Sequence, residues 1–394
     1  MSDPIRMYDS GMVGAPVLMT RSLGSLKEVL RQVLVTGFNV SPADDLTYDP
    51  AEGEGVILFS GGHSFVVHQV VEVAGANEEE WNGLWKVTGV GNTTVRFAMD
   101  TVPSGNATGA LSVKTASAGW TMPHESTDGH RAIFQPSEPS SPCYYIDNSD
   151  WMAASWAYAD EDIVQVLLRG HLSVTDIDTR HGEFGDGGIS QGTYNDSSYY
   201  DFPRSWKIVA NGRFVWMHVS DPNPEQTSIT AQSTIIAFGD LAKGRSGYQD
   251  AFIGLMEFGT SDSSPEGYMG DLTSSTYKRV SRGIGGRGVN LEVKTLSYSP
   301  YLGKPFVLPD AGDNKARVET ELTALAEVPG GGYVPVGVLP GLANCLSGAM
   351  YGDDSTVELG GRVYWVWYFA GLSSTDYNDN NQNMALIDIS GPWH

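Results

Sequence analysis

Cysteine is nearly absent from this chain. Only Cys143 and Cys345 occur in 394 residues, so a disulfide-stapled secreted scaffold is excluded and the fold must rest on its core. Positive charge is scarce as well: 24 Lys and Arg face 47 Asp and Glu, a formal net charge of −23 with a pI near 4.5. Neutralising a phosphate backbone or an anionic lipid surface needs clustered cations, so neither free nucleic acid nor an acidic membrane is an expected partner. No apolar run approaches the ~20 residues of a membrane span, and Met1 to Arg6 leads into no apolar stretch of the kind that marks a secretory signal. The expectation is a soluble protein made in a cytoplasm. Charged residues of both signs amount to only 18% of the chain.

What is present points to β-structure. Hydrophobic residues make up 41% and aromatics 10% of the sequence, which excludes disorder through weak hydrophobicity. Glycine, at 47 residues, is well above average usage but follows no Gly-X-Y period. A Gly-rich, Tyr-rich, charge-poor composition indicates many short strands joined by turns. Candidate strands are Gly55–Phe59, Phe65–Val73, Leu84–Thr88, Thr94–Phe97 and Ala110–Lys114, separated by turn clusters at an 8–12-residue spacing that suggests a small sandwich or barrel. Strands resume at Cys143–Ile146, Ile163–Arg169, Trp206–Ala210, Arg213–Val219 and Ser233–Phe238. They continue at Val289–Val293, Arg317–Leu322, Arg362–Phe369 and Met384–Ile389. Asn211-Gly212 is the strongest hairpin dipeptide. The stretch Pro136 to Pro142 reads as a linker or long loop.

One helix stands out. Leu26, Val29, Leu30, Val33 and Leu34 share a helical face, Ser25 with Glu28 has the spacing of a capping box, and Gly37-Phe38 supplies a left-handed stop with its hydrophobic closure. Before it, Met7 to Leu18 is punctuated by Gly and Pro and reads as an extended arm. The fold class expected is therefore mainly β: an N-terminal extended arm and short amphipathic helix (1–40), then two or three sandwich- or barrel-like domains. Their boundaries are a small β-domain at 41–120, a larger β-rich domain with long loops at 121–320, and a C-terminal β-rich segment at 321–394.

Motifs that invite chemistry lack their required settings. Gly283-Ile284-Gly285-Gly286-Arg287-Gly288 has the dinucleotide spacing, but a β-like stretch follows where a helix N-terminus must hold the pyrophosphate. Gly188-Ile189-Ser190-Gln191-Gly192 matches a nucleophile elbow, yet its flanks have loop chemistry. Asp176 to Asp186 gathers three Asp, a Glu and a His, but its glycine falls late for a calcium loop and Gly187 stands at the twelfth position. That segment and the tract Asp376 to Asn383 read as solvated acidic loops. No His-x-x-x-His or Cys-x-x-Cys occurs, and the Asn-x-Ser/Thr triplets at Asn92, Asn106 and Asn195 read as chance matches. No catalytic residue, cofactor or metal is assigned. Paired carboxylates for glycoside cleavage stay open, because only their separation in space matters; Trp and Tyr are numerous enough to line a sugar groove or simply to stack in a core.

Several segments resemble a family of structural proteins of tailed-bacteriophage virions. Ser10-Gly11, Gly14-Ala15-Pro16-Val17-Leu18, Gly24-Ser25-Leu26, Val29-Leu30, Leu34-Val35 and Gly37-Phe38 are similar to that family's Gly-Ala-Pro segment followed by a short helix ending in Gly-Phe. Trp81 to Val87, Thr93 to Phe97 and Ala107-Thr108-Gly109 look like the Asn-Gly-x-x-x-Val and Thr-Thr-x-x-Phe pattern of its small β-domains. Leu339-Pro340-Gly341, preceded by Val336-Gly337 where the family has Arg-Gly, and Ile389 to Trp393 match more loosely. The resemblance implies a non-enzymatic virion component on tail, neck or capsid exterior, assembled in the host cytoplasm from multiple copies and contacting other virion proteins. On this reading the arm and helix form the assembly element, through Pro16, Leu18, Leu26, Val29, Leu30, Val33, Leu34 and Phe38. Alternatives are a carbohydrate-binding or polysaccharide-degrading virion protein touching host glycan, and a capsid decoration protein.

Overall fold

A computed structural model describes residues 3–19, 22–149, 151–153, 162–190, 203–219, 234–242, 251–257, 278–280, 293–295, 318–320, 323–328, 332–345, 354–369 and 383–393. The chain is mainly β, built from several antiparallel sheets, with one short α-helix among the described residues. At its centre lies a six-stranded sheet ordered Arg6–Asp9, Trp206–Ala210, Phe214–Val219, Thr234–Asp240, Ala251–Glu257 and Lys278–Val280. Its neighbours are antiparallel throughout. The strands Trp206–Ala210 and Phe214–Val219 are buried at every position, and the reason is that both faces of this sheet are covered. Tyr8, Ile208, Met217 and Ile236 lie in one cross-strand row that enters one core; Met7, Val209, Trp216 and Ala237 form the next row and enter another. Continuous apolar runs in place of alternation follow from that double burial.

The first core is closed by a second sheet and by the helix. That sheet runs Thr121–Glu125, Arg131–Gln135, Cys143–Asp147, Asp162–Val174 and Arg180–Ser190, with Trp151–Ala153 also paired to Asp162–Val174. Its inner face contributes Ala132, Phe134, Tyr144, Ile146, Val166, Leu168 and Phe184. The second core is closed by a C-terminal sheet ordered Val318–Thr320, Leu342–Cys345, Asn383–Asp388, Arg362–Phe369 and Thr356–Leu359. Trp365, Trp367 and Ile387 point into it, joined by Leu339, Ile389 and Trp393. Residues 38–115 form a seven-stranded sheet around a third core that includes Trp81, Val95 and Phe97. The chain passes from Phe38–Pro42, paired to one edge of this sheet, to Asp45–Asp49, paired to the other, with Ala43 N–H bonded to Leu111 and Asp44 N–H to Leu58. That passage bridges the two edges and makes the unit barrel-like. Its expected strands are present, except that Phe65 to Gln69 is a loop and pairing starts at Val70.

The helix runs Ser25–Arg31 and continues as a π-turn over Gln32–Thr36. Its N-terminus departs from the capping-box expectation. Gly24 occupies the cap position with φ 74°, and Ser25 Oγ instead accepts the Met19 N–H at 2.7 Å. The Leu26 N–H is capped at 3.2 Å by the side chain of Asn148, far along the chain. Glu28 turns to Arg31 and Gln32. Gly37, at φ 72°, is obligatory for a second reason: a Cβ there would collide with the carbonyl of Thr115.

The arm is not an extension reaching away from the body. Arg6–Asp9 is an edge strand of the central sheet, Leu18–Met19 pairs with Pro203–Arg204, and Tyr8 O–H donates to Ala116 O at 2.8 Å. Ile5, Met7, Tyr8 and Leu18 are buried, each contributing about 2 kcal/mol on burial. Together they match the net stability of a typical domain. Deleting residues 1–24 is therefore expected to abolish cooperative unfolding and near-ultraviolet circular dichroism. A soluble truncated chain with a sharp thermal transition would show the arm to be dispensable.

Candidate functional site

A buried polar constellation lies where the central sheet ends beneath the second sheet. Asp240 closes the apolar strand Thr234–Asp240 and is fully buried. One of its carboxylate oxygens accepts the Ser141 hydroxyl and faces the Arg213 guanidinium, with two contacts of 3.4 Å. The Asp240 N–H is bonded to Arg213 O at 2.9 Å. Burial raises the Asp240 pKa, opposed by Ser141 and Arg213. Tyr144, buried beside it, has its phenol pKa pushed well up, first by burial and then by the Asp240 charge.

A second network adjoins it through the hairpin turn at Asn211. Asn211 Oδ1 accepts the N–H groups of Arg213 (2.9 Å) and Phe214 (2.8 Å), so the turn is held by a side chain, and neither Asn211 nor Gly212 takes the positive φ that the Asn-Gly signal leads one to expect. Asp3 accepts the Gly212 N–H and the Arg6 guanidinium. Ser137 donates to Gly212 O from both its backbone N–H, at 2.8 Å, and its hydroxyl, at 3.0 Å. Trp120 Nε1 donates to Asn211 O at 2.8 Å. The stretch Pro136 to Pro142 is thereby a tethered loop and not a linker.

Chemically, a carboxylate with a raised pKa accepting from a serine hydroxyl has the makings of a base and a nucleophile. Ser141 is 2% exposed and Asp240 0%, so a substrate has no route to the hydroxyl, and no histidine stands between the two. What the arrangement does is fasten the N-terminus, the proline-rich loop and the hairpin to one another.

Other sequence candidates fare differently. Pro16, Leu18, Leu26, Val29, Leu30, Val33, Leu34 and Phe38 are all buried inside this chain. All but Pro16 lie in the first core, and Pro16 O receives the Trp206 indole N–H at 3.0 Å. They are not available to a neighbour, which corrects the expectation of an assembly interface there: the helix finds its docking surface within its own chain. Ser190 ends a regular strand, paired to Gln165, and does not sit on a sharp turn. Asp176 to Asp186 is a hairpin: Asp176 Oδ1 accepts the Asp178 and Thr179 N–H groups at 2.8 Å, Asp178 pairs with Arg131 at 2.9 Å, and pairing resumes from Arg180. Among the described residues no three His, Cys, Asp or Glu gather as metal ligands would. Gly283 to Gly288 and Asp376 to Gln382 lie outside the described residues.

Cys143 and His171 are cross-strand partners on the outer face of the second sheet, both buried. Burial lifts the thiol pKa to about 11; burial, with Arg180 and Arg169 nearby, lowers the imidazole to about 4. Both groups are neutral at pH 7, the inert state of a thiol–imidazole pair. Sequence reasoning missed Asp240; the available signal was an acidic residue ending a run of apolar ones, Ile235 to Asp240.

No family model matches the chain, and no curated protein matches it. Among solved structures, an alignment with phage phi92 endosialidase covers 90% of this chain and 52% of that one, with 10% identity and a TM-score of 0.18. The chain thus spans about half the length of that protein, and a score of this size carries no structural correspondence.

Three outcomes follow. Asp240→Ala leaves Ser141 and Arg213 without their acceptor and should cost about 2–4 kcal/mol in urea unfolding. Asp240→Asn keeps an acceptor while removing a buried charge, and should stay within about 1 kcal/mol of the parent; equal losses would show that the charge itself holds the site. For His171, the unfolded chain takes up a proton near the ordinary value of 6.5 while the folded chain resists to about 4. Its contribution is intact above that window and is lost as pH falls through it, on the order of 3 kcal/mol. His171→Phe should flatten that part of the stability–pH profile.

Proposed function

We propose that this chain is a non-enzymatic structural component of a tailed-bacteriophage particle. It is present in multiple copies on tail, neck or capsid exterior and assembles in the host cytoplasm with copies of itself and other virion proteins. The observation that carries this reading is where the family-like residues stand. Pro16, Leu18, the helix face and Gly37-Phe38 close the first core or brace it. Leu339 and Trp393 fill the second core, where Pro340 O takes the Trp216 indole N–H at 2.7 Å and Gly341 lies against the Trp393 ring. Trp81, Val87, Val95 and Phe97 fill the third. This placement supports a scaffold reading, in which the similarity is carried by packing and by backbone geometry. A net charge of −23 suits an outward-facing particle surface kept soluble by like-charge repulsion.

Purified particles of the source phage, analysed by mass spectrometry and electron microscopy with an antibody to this chain, should contain it in many copies at a repeating position. Its absence from particles would remove the reading. So would release of oligosaccharide from host polysaccharide by the purified chain, if a single carboxylate substitution abolished it; that result would establish the carbohydrate-active alternative.

A further inference from the structure

The outer face of the second sheet, away from the first core, carries a satellite cluster of Ile133, Cys143 and Tyr145. His171, the cross-strand partner of Cys143, lies on that face only 1% exposed, and neither ring nitrogen has a hydrogen-bond partner among the described residues. The cover is the end of the hairpin joining Asp162–Val174 to Arg180–Ser190. Val174 and Ile177 pack on the cluster, and the Arg180 guanidinium stands 3.9 Å over the Tyr145 ring, itself 6.2 Å from the His171 ring. Register shows how the turn comes to lie there. Arg131 is level with Asp147, and Asp147 with Leu167, which an extended strand would set roughly 20 Å short of Val174. Yet Asp178, in the turn beyond Val174, meets Arg131 at 2.9 Å. The turn is therefore folded back across the sheet as a flap. Its tip is exposed at Asp176, Asp178 and Thr179, and it is held down by two half-buried apolar side chains, a surface ion pair and the Arg180–Tyr145 contact.

We propose that this flap is an acid-opened cover: protonation of His171 releases it and uncovers Ile133, Cys143 and Tyr145. While the flap is down, the surroundings admit no charge on the ring. Arg169 faces it from its own strand, the Cys143 thiol and Tyr145 phenol from one neighbouring strand, and Arg180, His181 and Glu183 from the other. The thiol and phenol are neutral, each with a pKa raised first by burial. Glu183, directly opposite His171, is drawn to Arg169, which it meets only at 3.7 Å and whose Nε is buried without a partner. An imidazolium would thus sit among two guanidiniums with no carboxylate to spare. Burial first, then Arg180 and Arg169, hold the ring down to about 4, whereas in the open form it meets water and regains its ordinary value near 6.5. The open form therefore takes up the proton first and gains population as pH falls. The opening is local because the satellite cluster is separate from the first core, whose Phe134, Tyr144 and Leu168 point the other way. This cover rests on the fold alone and is independent of the virion reading.

Access to the Cys143 thiol reports the opening. The full chain is labelled with dithiodipyridine, the Cys143 peptide is quantified by mass spectrometry, and its rate is divided at each pH by that of the urea-unfolded chain. Between pH 7 and pH 5, above the ordinary carboxylate range, protection of Cys143 should fall about twentyfold while near-ultraviolet circular dichroism stays that of the native fold. In His171→Phe the protection should be the same at both pH values. His171→Gln, which keeps a polar side chain but cannot titrate, should be equally flat and serves if the Phe chain does not fold. Asp178→Asn cuts the tie to Arg131, so it should lower protection at both pH values and keep the twentyfold step. Parent protection that ignores pH, a step that persists without His171, or a step that coincides with loss of the near-ultraviolet signal would overturn the proposal. So would an Asp178→Asn chain as protected as the parent, since the flap would then not be the cover.

Discussion

A sheet buried on both faces imposes the strictest demand in this structure. Every position of its inner strands must be apolar or internally satisfied, and its edge must be closed by something that is itself two-faced. Arg6–Asp9 meets that demand: Met7 enters the second core and Tyr8 the first, while four register pairs from Arg6↔Ala210 to Asp9↔Lys207 seal the Trp206–Ala210 edge. One strand thus contributes to both cores. Polar residues are admitted only where the rows run out. Lys207 and His218, cross-strand partners on the same face as Val209 and Trp216, stand at one end, with Lys207 paired to Asp354 at 2.5 Å. Arg213 and Asp240 stand at the other.

Tryptophan does the fastening between layers. A buried indole supplies a large apolar surface together with one N–H that needs an acceptor, so it pins whatever carbonyl it reaches. Trp206 pins Pro16, Trp120 pins Asn211, Trp216 pins Pro340 and Trp393 pins Asp388. In the first three the carbonyl belongs to a segment distant in sequence. A chain with two cysteines obtains its long-range cross-links in this way, at positions set by packing.

Local rules made much of the strand inventory legible, because short apolar runs between glycine-rich turns report on the backbone beside them. The Ala110–Lys114 and Trp206–Ala210 runs are examples that the structure extends by a residue at most at either end. What stayed hidden depends on contacts across the chain. The helix could be recognised from its own period, but its destination is a core assembled from Tyr8, Trp120 and Val215, which no local window contains. Its N-terminus is capped by Asn148, so Ser25 was free to serve the Leu18–Met19 strand instead. Gly37 was read correctly as a stop, while its closeness to Thr115 O was invisible. Asp240 illustrates the same limit: its partners Ser141 and Arg213 lie on a loop and a turn that sequence treats as punctuation.

The acidity of the chain also has an internal role that composition conceals. Carboxylates clip turns and tie loops together by accepting backbone N–H groups: Asp49 takes Ala51, Asp147 takes Ser149 and Asp176 takes Asp178 and Thr179 within turns, while Asp44 takes Ser60, Glu78 takes Thr108 and Glu80 takes Ser104 between segments. The pKa of each is lowered: first by backbone N–H bonds at Asp44 and Asp176, first by the Thr108 and Ser104 hydroxyls and then by their N–H groups at Glu78 and Glu80, and first by Arg96 and then by the Ala51 N–H at Asp49, while at Asp147 burial pulls upward and the Ser149 and Tyr145 hydroxyls with the Ser149 N–H outweigh it. A carboxylate satisfied in this way needs no cation, so acids can outnumber bases two to one without leaving their loops unsupported. Because the folded values lie below the ordinary ones, this support is complete above the normal carboxylate range and disappears as pH falls through the folded values. Net charge on such a chain therefore measures its turns as well as its surface.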